Sequence, residues 1–409
     1  MVGGAVRDTL LGLPVKDRDW VVVGATPQQM VDQGFMPVGR DFPVFLHPRT
    51  REEYALARTE RKTAPGYRGF AIHAAPDVTL AQDLARRDLT INAMAVAAED
   101  LAGDGSFDLS QAKLFDPHDG RGDLRHKLLR HVNDAFREDP VRILRVARFA
   151  ARFTGFEVAP ETTDLMRAMV AEGEVAALVP ERVWQELARG LMEAAPVRMF
   201  EVLHACGALA ILLPELGAAA ANPDSSFADT HAMRVLAQAA YLHAVLPVRF
   251  SCLCLHLGPA GGGAASQTAT PPLAPAASAR LARQLCQRLR VPTECRELAE
   301  LAAREYSAVH GCAALSAAGL VTLLERCDAF RKPARFDEFL LTCECDAQVQ
   351  AATPDAPYPQ HRHLMAALAA AQSVETELVA ARAHAAGISG KQVGEMIHAE
   401  RVTAVAAIA

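Results

Sequence analysis

Gly3-Gly4-Ala5-Val6-Arg7-Asp8-Thr9-Leu10-Leu11-Gly12-Leu13-Pro14-Val15-Lys16-Asp17-Arg18-Asp19-Trp20 lies at the start of the chain, and its reading decides the rest. A glycine turn leads into a short helix, Pro14 turns the chain, and a strand is expected to run on through Val21-Val22-Val23. Alternate residues of a strand share a face, so the carboxylates of Asp17 and Asp19 project together. Two converging carboxylates repel unless a cation lies between them, and oxygen ligands of this kind suit Mg²⁺ when substrate phosphates complete its shell. Upstream, Gly3 and Gly4 let backbone N–H groups approach a phosphate, and the helix they open turns its positive end toward an anion. Arg7 adds a charged donor one turn in. A triphosphate cradle beside a carboxylate pair is what nucleotidyl transfer requires. An isolated Asp-x-Asp more often marks a solvated strand end, so the weight rests on the whole string.

That string closely resembles the signature of the tRNA nucleotidyltransferases, the CCA-adding enzymes, of the bacterial type related to poly(A) polymerases. Four further motifs follow in the family's order. The resemblance implies an α/β nucleotidyltransferase head of the polymerase-β-like kind with a small mixed sheet, followed by an all-α neck and body and a C-terminal helical HD-like domain. It divides the chain into a catalytic head (1–135), a helical neck and body carrying the base-recognition helix and a tRNA-binding surface (136–220), and a helical HD-like and tail region (221–409). Before Gly3 stand only Met1 and Val2, so the first strand is expected to be short.

The second motif is Arg86-Arg87-Asp88-Leu89-Thr90-Ile91-Asn92. Alone, Arg-Arg-Asp reads as a salt-bridged helix start. The resemblance assigns Arg87 to the triphosphate or ribose, with Asp88 and Asn92 holding it from behind. Asp116-Pro117-His118-Asp119-Gly120-Arg121-Gly122-Asp123 reads as a turn with Asp123 available as a cap, a mechanical element in the family. Between Arg58 and Gly69 the chain is basic, contains Pro65-Gly66 and has no periodicity, so it reads as an exposed loop near the incoming nucleotide.

From Asp134 the pattern turns helical. Pro140 suits a helix start, and Arg142, Arg145 and Arg148 recur every three residues above an apolar side of Ile143, Leu144, Val146 and Ala147. Such spacing by itself usually means a solvated arginine face. The resemblance to Glu-Asp-x-x-Arg gives it a specific role. A protein that selects CTP and ATP without a template must read the base edge with side chains. Asp139 would accept from the exocyclic amine, Arg142 would donate to the ring acceptor, and Arg145 would serve phosphate or base. Pro180-Glu181-Arg182-Val183-Trp184-Gln185-Glu186 matches the fifth motif, where Glu181, Arg182 and Glu186 are expected to form structural ion pairs.

Composition sets the frame. The 409 residues are 51% hydrophobic, which excludes a disordered chain. No apolar run is long enough to span a membrane, and no signal peptide leads the chain. Net charge is −6, yet residues 121–152 hold nine Lys/Arg against four acids, a stripe suited to RNA or triphosphate. All nine cysteines lie at or beyond Cys206 without a C-x-x-C pair, which reads as reduced thiols of a cytoplasmic protein.

In the C-terminal half, relatives from some bacteria carry an HD phosphohydrolase. Its His-Asp would fall on Leu255 and His256 and its lysine on Pro259, a metal loop is replaced by Gly261 to Pro272, and a later His-Asp is lost near Ser307-Ala308. Only His231 matches an expected ligand, and one imidazole makes no divalent-metal site. The expected activity is therefore addition of C, C and A to the tRNA 3′ end with Mg²⁺, CTP and ATP, releasing pyrophosphate. Asp17 and Asp19 would hold two metals, Gly4, Arg7 and Arg87 the triphosphate, and Asp139, Arg142 and Arg145 the base. The rivals are a poly(A) polymerase and a non-catalytic RNA-binding descendant. A homo-oligomer is compatible with the helical half.

Overall fold

Strand formation begins where β-branched residues cluster. In the computed structural model, which describes residues 1–38, 43–62, 70–102, 105–108, 111–216, 227–255, 257 and 275–408, strand β1 is Asp19–Val22. It is one residue shorter than the sequence pattern at its C-terminal end, and it begins only at Asp19, so Asp17 precedes the strand and strand alternation does not place its side chain beside that of Asp19. β1 pairs in parallel with β4 (Glu53–Leu56), while β2 (Met36–Val38) and β3 (Val44–Leu46) complete a mixed sheet in the order β1-β4-β3-β2. Val2 makes single antiparallel bridges to Asp19 and Ala95, and Gly3 N–H donates to the Met94 carbonyl at 3.1 Å. The short N-terminal segment thus stitches the sheet to the Arg87–Asn92 motif.

Alternation along β1 sorts its side chains. Val22 packs on one face with Met30, Phe45 and Leu56. Val21 packs on the other with Val2, Leu84, Ala93 and Ala95. Asp19 shares the face of Val21, and so is aimed toward the Leu84–Ala95 segment and away from the Met30 side.

Helix α1 (Gly4–Leu10) starts from Gly3, whose φ is 68° and whose added Cβ would lie 2.7 Å from Arg87 Nη1. Both constraints call for glycine. Helix α2 (Pro27–Asp32) starts from a Thr26 cap, strengthened by a capping box with Gln29. A second capping box, Thr79 with Gln82, starts α3 (Leu80–Ala85).

The Asp116–Asp123 turn works differently from expectation. Asp116 accepts from the N–H groups of Gly120 and Arg121. Asp119, at φ 54°, accepts from Gly122 N–H as cap of α4 (Gly120–His126). Asp123 is not the cap. It is buried and accepts from Thr90 Oγ1 at 2.7 Å and Arg130 Nε at 3.1 Å. Two acids earlier in the turn already satisfy the helix start, leaving Asp123 free to bolt α4 to the second motif. The basic stretch after Arg58 begins as a strand rather than a loop. Strand β5 (Thr59–Lys62) pairs antiparallel with β6 (Phe70–His73), and Thr63–Gly69 lie outside the described residues. Short strand pairs β7 (Ala95–Val96) with β8 (Leu114–Phe115) and β9 (Leu128–Leu129) with β10 (Glu157–Val158) complete the strands.

Beyond them the chain is helical: α5 (Val141–Arg152), α6 (Pro160–Ala171), α7 (Pro180–Leu191), α8 (Pro196–Ala205) and α9 (Ala208–Leu212). Met1–Gly190 with Arg198–Leu212 form one compact unit, and Leu191–Val197 with Leu213–Ala409 form a second. The second unit consists of α10 (His231–Tyr241), α11 (Leu246–Cys254), α12 (Pro275–Arg288), α13 (Thr293–His310), α14 (Ala317–Arg326), α15 (Pro333–Gln350), α16 (Pro359–Gln372), α17 (Thr376–Ala385) and α18 (Lys391–Ala406). All nine cysteines are buried free thiols. No single described helix is long and apolar enough to cross a membrane.

A Cβ at Gly120 would sit inside the contact distance of the Thr90 carbonyl oxygen, which is main chain and cannot rotate away. Gly120→Ala is expected to cost about 1–3 kcal/mol or more, read as a lowered thermal midpoint. A midpoint equal to wild type would show that the turn relaxes freely.

Candidate active site

All eight residues singled out from the sequence, Gly4, Arg7, Asp17, Asp19, Arg87, Asp139, Arg142 and Arg145, line one cleft of about 1420 Å³ within the first unit. The volume exceeds the roughly 300–1,000 Å³ usual for a small-molecule site, leaving room for a second reactant. Eleven basic and six acidic side chains line it, an excess of five positive charges in a chain whose total is −6. Such a field selects polyanions.

Asp17 and Asp19 are exposed at the mouth of β1. Among the described residues neither carboxylate has a hydrogen-bond or ion-pair partner. They stand unneutralised in a basic cleft, as oxygen ligands for a cation should. No described group of three or more His, Cys, Asp or Glu side chains gathers as a ligand set. A cation held by this pair would take its remaining ligands from substrate and water, which fits Mg²⁺.

The same cleft is lined by a chain of charges, buried at Asp8, Arg7, Asn92 and Asp88 and half-buried at its two ends. Arg152 Nη2 donates to Asp8 Oδ2 at 2.9 Å, and Arg7 Nε donates to Asp8 Oδ1 at 2.8 Å. Arg7 Nη1 donates to Asn92 Oδ1. Asn92 Nδ2 donates to Asp88 Oδ1 at 2.9 Å, and Arg145 Nε donates to Asp88 Oδ2 at 2.7 Å. Burial opposes the charge of Asp88, but Arg145 and Asn92 outweigh it and hold the carboxyl far below the usual range. Asp88 in turn pushes the Arg145 guanidinium up, while burial pulls Arg7 down. Asp88 and Asn92 therefore hold Arg7 and Arg145 directly.

Arg87 follows a separate path. Its Nη2 donates to Asp83 Oδ2 at 3.3 Å and its Nη1 to the Asn92 carbonyl at 3.5 Å, while its buried Nε has no partner among the described residues. Burial lowers its pKa, with Asp83 and Asp19 acting in the opposite direction.

The pair expected to read the base, Asp139 and Arg142, is engaged within the protein. Asp139 is gripped by Arg182, Nη1 to Oδ1 at 3.0 Å and Nη2 to Oδ2 at 2.7 Å. Arg142 is buried and donates to the carbonyls of Ala135 at 2.7 Å and Arg86 at 2.5 Å. Arg148 pairs with Glu186 at 2.7 Å. The arginines expected along one helix face thus diverge to three different partners. The guanidiniums of Arg7, Arg145 and Arg148 lie 5.2, 5.7 and 4.8 Å from the Phe149 ring centroid, within cation–π range. Phe149, Asp8 and Asp83 belong to this region and were missed in the sequence because nothing in their spacing distinguishes them from ordinary helix residues.

In the second unit, His231 meets a partner that the sequence did not reveal. Its Nε2 lies 2.7 Å from Asp346 Oδ1, and Asp346 is 0% exposed. Gln350 Nε2 donates to Asp346 Oδ2 at 2.7 Å, and His310 Nε2 faces the same oxygen at 3.3 Å. Burial pushes the Tyr358 hydroxyl up, and its oxygen lies 2.9 Å from His310 Nδ1. Leu255 is buried in the core, and His256, Pro259 and Gly261–Pro272 lie outside the described residues.

Asp83 and Asp88 contribute stability only while ionised. Both carboxyls are held below the ordinary value of 3.8, so that contribution is complete above the unfolded value and is lost as pH falls through about 4 and below. Asp88→Asn leaves Arg145 unpaired and is expected to cost roughly 3–5 kcal/mol at pH 7. Thermal midpoints taken between pH 7 and pH 3 check both: the variant should lose less on acidification than wild type.

Residues 1–130 match the family described as the poly A polymerase head domain, and residues 155–219 match that described as the probable RNA and SrmB-binding site of polymerase A. The Multifunctional CCA protein of Variovorax paradoxus is 60% identical over 420 residues, covering 100% of this chain and 99% of that protein. That of Paracidovorax citrulli is 62% identical over 417 residues, covering 99% and 96%. Among solved structures, the CCA-adding enzyme of Bacillus stearothermophilus in complex with CTP superposes with a TM-score of 0.64 at 22% identity, over 100% of this chain and 88% of that one. At that identity the structure speaks for the fold, an α/β nucleotidyltransferase head with a helical remainder. The full-length relatives speak for descent: this chain belongs to the multifunctional CCA protein family.

Proposed function

We propose that this protein builds and repairs the 3′-terminal CCA of tRNA without a nucleic-acid template, consuming CTP and ATP and releasing pyrophosphate. The observation that carries the reading is the pairing of two unpartnered carboxylates, Asp17 and Asp19, with an arginine-rich wall in one cleft. A divalent cation, by donor chemistry Mg²⁺, would be held by Asp17 and Asp19; when bound it supplies a Lewis acid for the attacking 3′-hydroxyl and the leaving pyrophosphate. The protein's own part is placement. The α1 N-terminus at Gly4 and the Arg87 guanidinium face the triphosphate. Arg7 sits at the same wall with its donors given to Asp8 and Asn92, so it contributes charge more than free hydrogen bonds.

Asp139 and Arg142 read the base in this proposal. Each Asp139 oxygen keeps a second lone pair beside its bond to Arg182, and these accept from the amine of cytosine or adenine. Arg142 donates to a ring acceptor once its guanidinium leaves one of its two carbonyls. Uracil and guanine place an acceptor where the carboxylate needs a donor, leaving buried groups unpaired, which is the strong form of discrimination. Arg145 orients the base or phosphate from the same helix. The regions 1–135, 136–220 and 221–409 then serve as catalytic head, neck and body, and a helical region whose phosphohydrolase motif is gone. Buried free thiols suit the cytoplasm. Poly(A) polymerase remains the rival within the fold, and a non-catalytic RNA-binding descendant the rival outside it. The full-length relatives favour CCA addition, and the intact carboxylate pair favours catalysis.

A tRNA transcript lacking its last three nucleotides, given Mg²⁺ and labelled CTP alone, should gain two C residues, with a single A only when ATP is also present. A long A tract from ATP alone would move the reading to poly(A) polymerase. Asp17→Ala and Asp19→Ala should each lower incorporation by at least about 10³-fold, the scale of several kcal/mol in a barrier, with tRNA binding retained. Wild-type rates in either variant would overturn the metal assignment.

A further inference from the structure

Two consecutive arginines turn to one carboxylate. Asp83, in the first turn of α3, is 0% exposed. Its Oδ1 accepts from Arg86 Nε at 3.0 Å, Arg86 Nη2 at 2.7 Å and the Arg58 N–H at 3.3 Å. Its Oδ2 accepts from Arg87 Nη2 at 3.3 Å. Adjacent guanidiniums repel, and a shared counter-ion is what lets both stay at one place. The Asn92 carbonyl takes the other terminal nitrogen of Arg87, and the bare Cα of Gly3 leaves space for it. Arg87 is therefore oriented from two sides, with its Nε still unpartnered among the described residues. The reach of Asp83 extends further: the main-chain carbonyl of Arg86 accepts from Arg142 Nη2 at 2.5 Å, and Arg58 leads directly into β5.

We propose that Asp83 is a positioning residue of the triphosphate site, acting through Arg87 by fixing where its guanidinium points; this rests on the reading of Arg87 as a triphosphate ligand. Charge and geometry make opposite demands here. Asp83→Asn keeps the shape of the side chain and removes a buried negative charge from beneath the arginines of a cleft read as binding an anion. If Asp83 acted only through its charge, the variant would bind nucleotides more tightly. If it positions Arg87, the variant binds them more weakly, because the amide cannot hold two guanidiniums side by side.

Steady-state kinetics on tRNA transcripts lacking A or CA separate the two. For Asp83→Asn the KM values for CTP and ATP should rise together by about tenfold, equivalent to roughly 1.4 kcal/mol, with the tRNA KM within about twofold and the choice of nucleotide unchanged. An unchanged or lowered nucleotide KM overturns the proposal. So does a parallel rise in the tRNA KM, which would indicate general loosening. Arg87→Gln is the control. If it leaves nucleotide KM unchanged, the triphosphate reading of Arg87 is wrong; if it raises KM while Asp83→Asn does not, only the positioning role is wrong. The double variant should be no worse than Arg87→Gln alone, and additive losses would mean that Asp83 does not act through Arg87. Should Asp83→Asn not fold, Asp83→Glu decides: it keeps the charge and displaces it by one methylene, and an unchanged nucleotide KM there also overturns the proposal.

Discussion

The structure of the first unit depends on keeping many like charges in a small space. Arg7, Arg58, Arg86, Arg87, Arg142, Arg145, Arg148, Arg152 and Arg182 all border one cleft. Unpaired, they would repel one another and pay for desolvation as well. The protein resolves this with carboxylates set among them, buried except for the half-buried Asp139. Asp8 takes Arg7 and Arg152, Asp83 takes Arg86 and Arg87, Asp88 takes Arg145, Asp139 takes Arg182 and Glu186 takes Arg148. What is left over is a positive field with fixed orientation, in front of which Asp17 and Asp19 stand without hydrogen-bond or ion-pair partners among the described residues.

This arrangement explains why distant segments meet. The Arg152–Asp8–Arg7–Asn92–Asp88–Arg145 chain ties α1 to the second motif and to α5. Thr90 and Asp123 tie that motif to α4. A buried polar group without a partner is costly, so each tie demands the next. Helix α1, the second motif and α5 are thereby one mechanical body.

The second unit applies the same rule with a different outcome. Asp346 is fully buried, and His231, Gln350 and His310 point N–H groups or ring nitrogens at it. Where the resemblance expects the histidine of an HD pair, Leu255 packs into the core.

The local sequence was enough for the head's fold and for the start of α5. The β-branched run Val21-Val22 and Pro140 act over a few residues and the backbone follows them, whereas β1 starts only at Asp19, so period-two alternation does not reach Asp17. The motif strings also located every residue that lines the cleft and was named from them. What the sequence left undecided was partnership. Arg142, Arg145 and Arg148 share a three-residue spacing, yet they go to a backbone carbonyl of the second motif, to Asp88 and to Glu186. Asp123 was available as a cap and became a bolt, and His231 found Asp346 115 residues away. Periodicity reports which side of a helix faces inward. Which buried charge meets which is settled only when segments far apart in the chain are packed together, because only burial makes an unpaired charge too costly to keep.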